Sequence, residues 1–555
     1  MPSTPVSSIN GSRSSFLSSF GVASLTLGLS LFPVLLVLPV DIDKTAHLLL
    51  LPVILCSVMM PGGRSCSRLV KGLLATLVTL AAFSTALSSF PAPALVTLSG
   101  WVLAGFGIFA LHRLAATPHG VPWILRGVAL GCTVGFLLVG FLIASGPPEL
   151  GMPLYQHPRL FGMHMFAGAV ATLILVVVRP RSARGYGVDA LLAVLCWTAF
   201  FWSGSRAPAL GLIAGISVWM LAANHVTRKR LIVWTPLLLV VALSFSYLIR
   251  SPIQSMGWFR AVERSVQAAD INDLSSSRLV LWSKMWKQAA DTPWLGLGPD
   301  GYRYLRPKLD GEQPHNFLLH WRLELGWLGM LCLVALLGLC ITTGLRNRDE
   351  HYRPWATAAA SGLIACTVTA LLDGVFYHVL IFIPALCLAA GCLQSPVAAA
   401  SISPSRTRLR CWGLGAAAIT ATLVLVLHSF LFYHLVRGIP PHPRAPLAQT
   451  LRFFPSTTHG LIRWIEAWRP QLPQAALEWT LWAQQTAAVP SIFHEEAARL
   501  QIDRGDLAAT EAEFMAALAT AHASAQPRLE QLIQLTRNAR AEMLKNARPA
   551  SPPAP

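Results

Sequence analysis

The chain has 555 residues, of which 54% are hydrophobic and only 12% are charged, against roughly 25% charged residues in an average soluble domain. This composition excludes an ordinary soluble fold. The net charge of +18 comes from basic residues scattered in small groups between apolar runs, so it predicts a membrane topology and no nucleic-acid surface. The 10 cysteines lack metal-ligand or redox spacing, and neither a metal nor another cofactor is expected.

About 13 apolar runs are long enough to cross a hydrocarbon core of about 30 Å. The first lacks a small-x-small cleavage site, so we interpret it as a retained span. The sequence therefore predicts an all-α polytopic membrane protein that also contacts membrane lipids. The runs cover approximately residues 20–40, 46–60, 69–90, 92–114, 123–145, 161–178, 188–202, 207–223, 231–249, 316–345, 355–372, 375–392 and 411–430.

Basic residues concentrate in alternate loops between these runs, with an asymmetry of about six to one. The sparse set of short loops holds only Lys44, Arg159 and Arg206. The positive-inside rule then predicts a cytoplasmic N-terminus. An odd number of spans places residues 250–315 and everything after residue 430 on the opposite, external side.

Three regions follow from this topology. Residues 1–431 form the predicted transmembrane domain, which includes the external loop 250–315. Residues 432–548 have alanine, glutamate and leucine at helical spacing and predict an external helical domain for a protein partner, and residues 549–555 form a disordered Pro/Ala tail. Ala497 to Leu518 resembles one tetratricopeptide-type hairpin, although stable arrays need several repeats.

The external loop contains a predicted helix that begins at Arg278, with Trp282 and Trp286 one turn apart. Either the tryptophans anchor an amphipathic helix in the membrane interface, or the helix packs inside a folded loop. A guanidinium at Arg278 could bind an anion from above the membrane, and it could equally be an ordinary residue at a helix start.

A polar stripe opens the tenth span, where Asn316, His320 and Glu324 follow one another at a spacing of four residues and His315 lies at the mouth. A carboxylate inside a span is costly unless it is paired or faces a wet cavity, so the stripe is a candidate functional site. In the structural alternative, Asn316 caps the helix and Glu324 pairs with His320.

Two arginines and an aspartate lie in other external turns. Arg206, in Ser203-Gly-Ser-Arg206, either snorkels to lipid headgroups or binds phosphate oxygens through two parallel hydrogen bonds. Arg159 is a solvated loop charge or part of the same site, and Asp373 lines that cavity or caps a helix. Asp41 and Asp43 form an Asp-x-Asp pattern, for which solvated carboxylates are a simpler reading than a metal site.

These segments together resemble the O-antigen ligase and O-antigen polymerase superfamily of bacterial inner-membrane glycosyltransferases. The resemblance covers roughly residues 155–392, with a large external loop in the expected place. The matching elements occur in family order: Arg159-Leu-Phe-Gly, Ser203-Gly-Ser-Arg206, Ser277-Arg278-Leu-Val-Leu-Trp282, Pro293-Trp-Leu-Gly-Leu-Gly298, His315-Asn-Phe-Leu-Leu319 and Glu324-Leu-Gly-Trp-Leu-Gly329.

The resemblance implies a GT-C-like helical fold and transfer of a glycan from undecaprenyl pyrophosphate to an acceptor at the periplasmic face, without a metal. It implies that Arg206, Arg278 and His315 are catalytic. A neutral histidine suits a general base, or it only positions the substrate, and arginines suit a pyrophosphate leaving group. Residues Arg159, Asn316, His320, Glu324 and Asp373 are the candidates for substrate binding.

Three functions remain open at this point. The first is an O-antigen ligase that attaches the polysaccharide to lipid A core. The second is a polymerase of O-antigen or exopolysaccharide, or a protein O-oligosaccharyltransferase, which the C-terminal domain would suit. The third is a transporter in which His320 and Glu324 relay protons, although inverted repeats are not visible and the charges cluster at one face.

Overall fold

A computed structural model gives the fold of the residues that it describes. These are residues 7–36, 42–59, 66–117, 120–145, 152–155, 157–183, 185–249, 251, 253, 256–292, 294–304, 314–350, 352–394, 416–430, 458–486, 490–521 and 525–546.

The described part of the N-terminal 430 residues is helical and contains no β-strand. Shorter helical turns connect some of the helices. The helices of eight residues or more are α1 Ser7–Ser30, α2 Leu51–Met59, α3 Arg68–Ala86, α4 Pro91–Ala115, α5 Gly120–Ser145, α6 Pro158–Val178, α7 Tyr186–Ser203, α8 Arg206–Ala222, α9 His225–Leu248, α10 Trp258–Val266, α11 Arg278–Ala289, α12 Phe317–Leu345, α13 Arg353–Leu372, α14 Val379–Cys392 and α15 Ala416–Phe430.

Eight of these helices, α3 to α7, α9, α12 and α13, are long and apolar enough to cross a membrane. The C-terminal part of α1 and helices α8, α14 and α15 are apolar but shorter. The polytopic membrane character is therefore confirmed, whereas the number of 13 spans stays a prediction. The second predicted span is divided into a 3-10 segment, Ala46–Leu50, and helix α2, because Pro52 favours a new helix start.

The helices run back and forth, so the ends that carry the candidate residues meet at one end of the bundle. Helices α6, α8 and α12 begin there, and α7 and α13 end there. The basic loops around Arg179, Arg228 and Arg353 lie at the opposite end. The alternation of loop charge along the sequence thus matches the arrangement of the helices.

Helix α12 is sharply kinked at Gly326, whose φ of 67° and ψ of −169° are accessible essentially to glycine alone. The kink frees the carbonyls of Leu323 and Glu324 from the helical ladder. They accept hydrogen bonds from the amides of Leu297 (2.8 Å) and Gly298 (3.0 Å). The glycine-rich end of the external loop is thereby attached to the helix that carries the polar stripe.

Helix α11 is packed within the folded loop, as one of the two alternatives for this segment predicted. Met285 and Ala289 are buried, and the Trp282 indole donates to the carbonyl of Pro314 (2.7 Å). This contact places the end of α11 that carries Arg278 beside the start of α12. Trp286 remains 55% exposed.

The described C-terminal region consists of five helices: α16 Thr458–Trp468, α17 Pro473–Thr486, α18 Pro490–Asp503, α19 Leu507–Thr520 and α20 Gln526–Asn546. The predicted hairpin is confirmed as α18 and α19, and Phe514 and Ala517 are buried in its core. Its classification as a tetratricopeptide unit stays a prediction. The tail 549–555 lies outside the described residues.

Candidate active site

Asp373 directly follows α13 and lies at the centre of a cluster of charged side chains. Its side chain is only 3% exposed. Its Oδ2 atom lies 3.1 Å from Nη2 of Arg278 and 3.5 Å from Nε of Arg159, and its Oδ1 atom lies 3.1 Å from Nδ1 of His315. The four residues come from four separate segments of the chain, so only the folded bundle brings them together.

His315 has a left-handed backbone with a φ of 51°, a conformation that costs about 1–3 kcal/mol in a non-glycine residue. Its neighbours hold it there, because Pro314 is anchored by Trp282 and the imidazole is bound by Asp373. The ring is 23% exposed. Its Nε2 atom lies 3.2 Å from Nη1 of Arg159, so a neutral ring that donates from Nδ1 to Asp373 accepts from Arg159 at Nε2.

The C-terminal end of α13 is held by two side chains of the candidate set. Nη1 of Arg278 donates to the carbonyl of Leu372, and Nδ2 of Asn316 donates to the carbonyl of Leu371 (3.0 Å). Both carbonyls lie in the last turn of α13, where carbonyl groups have no hydrogen-bond donor within the helix. Asn316 also caps α12, since its Oδ1 atom accepts from the amide of Leu319 (3.0 Å).

Arg206 begins α8 and lies next to this cluster. Its Nη1 atom donates to Oγ of Ser265 (2.9 Å), and its Nη2 atom lies 3.5 Å from Oγ of Ser276, two residues before Arg278. The Ser203-Gly-Ser turn that precedes Arg206 packs directly on Gly162 of α6, where a β-carbon would collide with both serine hydroxyls. Gly162 therefore allows the segments of Arg159 and Arg206 to approach each other closely.

The cluster has an excess of positive charge. Burial lowers the pKa of Arg278, the attraction of Asp373 opposes this shift, and the charges of Arg159 and Arg206 add to it. Arg159 and Arg278 face the single carboxylate of Asp373, and Arg206 stands beside them. Such a cationic cluster suits an anionic ligand.

Opposing influences set the protonation of Asp373 and His315. Burial alone would raise the pKa of Asp373, but the hydrogen bond from His315 and the charges of Arg159 and Arg278 hold it well below its ordinary value. Burial lowers the pKa of His315, and the two arginines act in the same direction against the pull of Asp373. His315 is therefore neutral at pH 7, where it can accept a proton.

His320 and Glu324 belong to a second, buried polar cluster. Nε2 of His320 lies 2.7 Å from Oε1 of Glu324, which also accepts from the amide of Asp300 (2.9 Å). Asp300 forms ion pairs with Lys44 (3.2 Å) and Arg303 (3.3 Å). Glu324 is fully buried, and these contacts join the external loop to α12, as in the structural alternative for this stripe.

The predicted site residues thus divide into two groups. Arg159, Arg278, His315 and Asp373 are in direct contact, and Arg206 stands beside them. Asn316, His320 and Glu324 make helix-capping and loop-holding contacts, and their role in substrate binding stays a prediction. Asp43 lies 3.5 Å from Nδ1 of His378, whereas Asp41 lies outside the described residues.

Sequence reasoning missed several partners of these residues. Ser265, which binds Arg206, and Asp300, which joins Lys44 to Glu324, carry no distinctive local pattern. A signal did exist for Lys44, because it is one of the few cations in the sparsely charged loops. An isolated cation on that side predicts a partner but does not identify it.

A known family model matches the middle of the chain. The family model described as O-antigen ligase matches residues 191–334, a range that contains Arg206, Arg278 and His315. The match confirms the resemblance that the ordered motifs predicted, and it implies a membrane enzyme of the glycosyltransferase-like ligase or polymerase type. No curated protein matches the chain. Arg159 and Asp373 lie outside the matched range, so their place in the site rests on the geometry.

Proposed function

We propose that this chain, with its O-antigen ligase domain, transfers a glycan from an undecaprenyl pyrophosphate carrier to lipid A core at the periplasmic face of the bacterial inner membrane. The proposal rests above all on one observation: His315 and two arginines meet on Asp373, with Arg206 beside them. The C-terminal helical domain would lie on the same periplasmic side.

The arginines would neutralise the leaving group. When the bond between the anomeric carbon and the pyrophosphate oxygen breaks, the oxygen retains the electron pair and its negative charge increases. Guanidiniums fixed before the reaction stabilise such a charge without rearrangement of solvent. Arg278 and Arg206 are held by neighbouring backbone and hydroxyl groups, and Arg159 is 33% exposed.

His315 would act as the general base. Nε2 accepts the proton of the acceptor hydroxyl while the hydroxyl oxygen forms the new bond to the anomeric carbon. Asp373 binds Nδ1 and keeps this tautomer, and its negative charge stabilises the imidazolium that forms. Arg159 occupies Nε2 in the structure, so we expect the donor pyrophosphate to draw Arg159 away and expose the base.

A deletion strain distinguishes the acceptor classes. Loss of a ligase leaves unmodified lipid A core while lipid-linked polymer accumulates. Core that bears a single repeat unit would instead identify a polymerase, and a change restricted to glycoproteins would identify a protein oligosaccharyltransferase, which the helical C-terminal domain would suit. Unchanged glycans in all three fractions would contradict the proposal.

Variants then test the site itself. His315→Ala and Arg278→Ala should each reduce transfer by purified protein by about 10²-fold or more, the usual loss for a positioned base or a charge-stabilising donor. His225→Ala is the matched control, because His225 is exposed at the opposite end of the bundle and should retain full transfer. Equal activity of the His315 and His225 variants would refute the assignment of the base.

A further inference from the structure

An apolar groove runs down the membrane-facing part of the bundle. It is formed mainly by α3, α4, α12 and α14 and is partly open to the surroundings. Its lining contains no charged residue, and typical members are Trp101, Gly105, Trp321, Leu333, Cys340 and Phe376. Such a surface gains free energy when it is covered by hydrocarbon.

The upper end of the groove reaches the charged cluster. Phe376 lines the groove three residues after Asp373, and its ring packs on Phe317, two residues after His315, at a centroid distance of 5.3 Å. Trp321 lies one turn further along α12 and stacks on Trp101 at 4.8 Å. The apolar lining thus begins where the polar site ends.

The groove continues along α12 to Cys340. Cys340 lies near the C-terminal end of α12, at the end of the bundle opposite the charged cluster. The apolar lining therefore leads from the cluster towards the far side of the membrane domain, and a single extended chain could lie along it.

We propose that this groove binds the polyprenyl chain of the donor, with the attached pyrophosphate at Arg159 and Arg278. The inference rests on the proposed function, because that function supplies a substrate with one apolar chain joined to one anionic headgroup. Charge complementarity holds the headgroup at the cationic cluster, and the continuous apolar lining leads directly away from it. One apolar groove below one cationic cluster matches one apolar chain below one anionic headgroup.

Gly105 offers a way to fill the groove without disturbing the fold. A β-carbon at this position would meet only Cγ2 of Val78, at 4.0 Å, so a leucine side chain extends into the open space. Gly140 on α5 is the matched control, because a β-carbon there meets nothing within 4 Å and the residue does not line the groove. Gly105→Ala fills less space and provides a graded second variant.

The experiment uses the full chain in vesicles of phosphatidylethanolamine and phosphatidylglycerol with a sugar-free polyprenyl pyrophosphate that carries a diazirine on its chain. After irradiation, peptide mass spectrometry should locate the label at groove residues. Labelling should fall at least tenfold in Gly105→Leu, by less in Gly105→Ala, and not in Gly140→Leu. Melting temperatures of the variants confirm that each is folded.

Several results would overturn the proposal. Equal labelling of folded Gly105→Leu and wild-type protein would do so, as would a label confined to other helices. Competition by lipid A but not by unlabelled polyprenyl pyrophosphate would assign the groove to another lipid. If labelling falls in Gly105→Leu as expected but no glycan is transferred, the groove assignment stands and the proposed function fails. If glycan is transferred but labelling is the same in Gly105→Leu and wild-type protein, the proposed function stands and the groove assignment fails.

Discussion

Replacement of Asp373 by asparagine changes one atom at the centre of the charged cluster. The side chain keeps its size but loses the charge that faces Arg159, Arg278 and His315. The new amide also has a donor group where the carboxylate had an acceptor. Arg278 and His315 therefore lose their anionic partner, and the tautomer of His315 is no longer fixed.

Two consequences have different magnitudes. Removal of one partner from a fully buried ion pair costs about 3–5 kcal/mol, but Arg159 and His315 are 33% and 23% exposed, so solvent screening should reduce the loss of stability to about 1–3 kcal/mol. The loss of catalytic rate is larger, because an incorrectly oriented base lowers the rate by about 10²–10⁴-fold.

The pH dependence of glycan transfer shows in which direction Asp373 shifts the pKa of His315. Asp373 raises the pKa of His315 against burial and the arginine charges. The neutral, basic form exists above that pKa, so the acid limb of the rate profile lies below the ordinary histidine value of about 6.5. In Asp373→Asn the limb should move to still lower pH while the plateau falls. The assay is glycan transfer by purified protein between pH 4.5 and 8.

Asp189 supplies a matched control at the opposite end of the bundle. It is fully buried and bridges Arg126 (2.7 Å) and Arg179. Asp189→Asn should lose stability to a similar or greater degree but leave the pH profile and the rate of the folded protein unchanged. The reasoning is refuted if Asp373→Asn transfers glycan within threefold of wild type, or if both variants lose rate equally once folded fractions are matched.

Two further outcomes follow from the same geometry. Arg159→Gln removes a charge that lowers the pKa of His315, so the acid limb should move to higher pH, the opposite of the Asp373 effect; a downward shift in the measured profile would contradict this. Gly326→Ala forces a β-carbon onto the carbonyl of Trp294 at a positive φ, and thermal unfolding should show a loss of at least about 2 kcal/mol. Gly338→Ala, on the same helix in open space, should be neutral or stabilising by up to about 1 kcal/mol, and equal losses in the two variants would exclude the kink as the cause.

Several features could be predicted from sequence because they are local or periodic. Long apolar runs require transmembrane helices, since backbone polar groups in lipid must be satisfied within the segment. Loop charge then located Arg206, Arg278 and His315 on one face, and short motifs such as His315-Asn-Phe identified the start of α12. The helix cap at Asn316 and the pair between His320 and Glu324 could also be predicted from sequence as structural alternatives, because each contact spans only one helical turn.

The lengths and breaks of helices were less predictable. The run 46–60 is apolar enough for a span, yet it divides into a 3-10 segment and α2. Likewise, the apolar run 316–345 predicted one continuous span, whereas Gly326 bends α12 so that it receives the loop amides of Leu297 and Gly298. Both outcomes depend on contacts with other segments, which hydropathy does not contain.

The sequence by itself determined the membrane class, the shared face of the candidate residues and the motifs that carry the family resemblance. Only the tertiary structure decided which of those residues touch. Asp373 is 58 residues from His315 and 95 from Arg278 along the chain, and its local sequence is equally typical of a helix cap. Ion pairs act through space over a few ångströms, so packing alone made Asp373 the centre of the site and Glu324 part of a separate buried cluster.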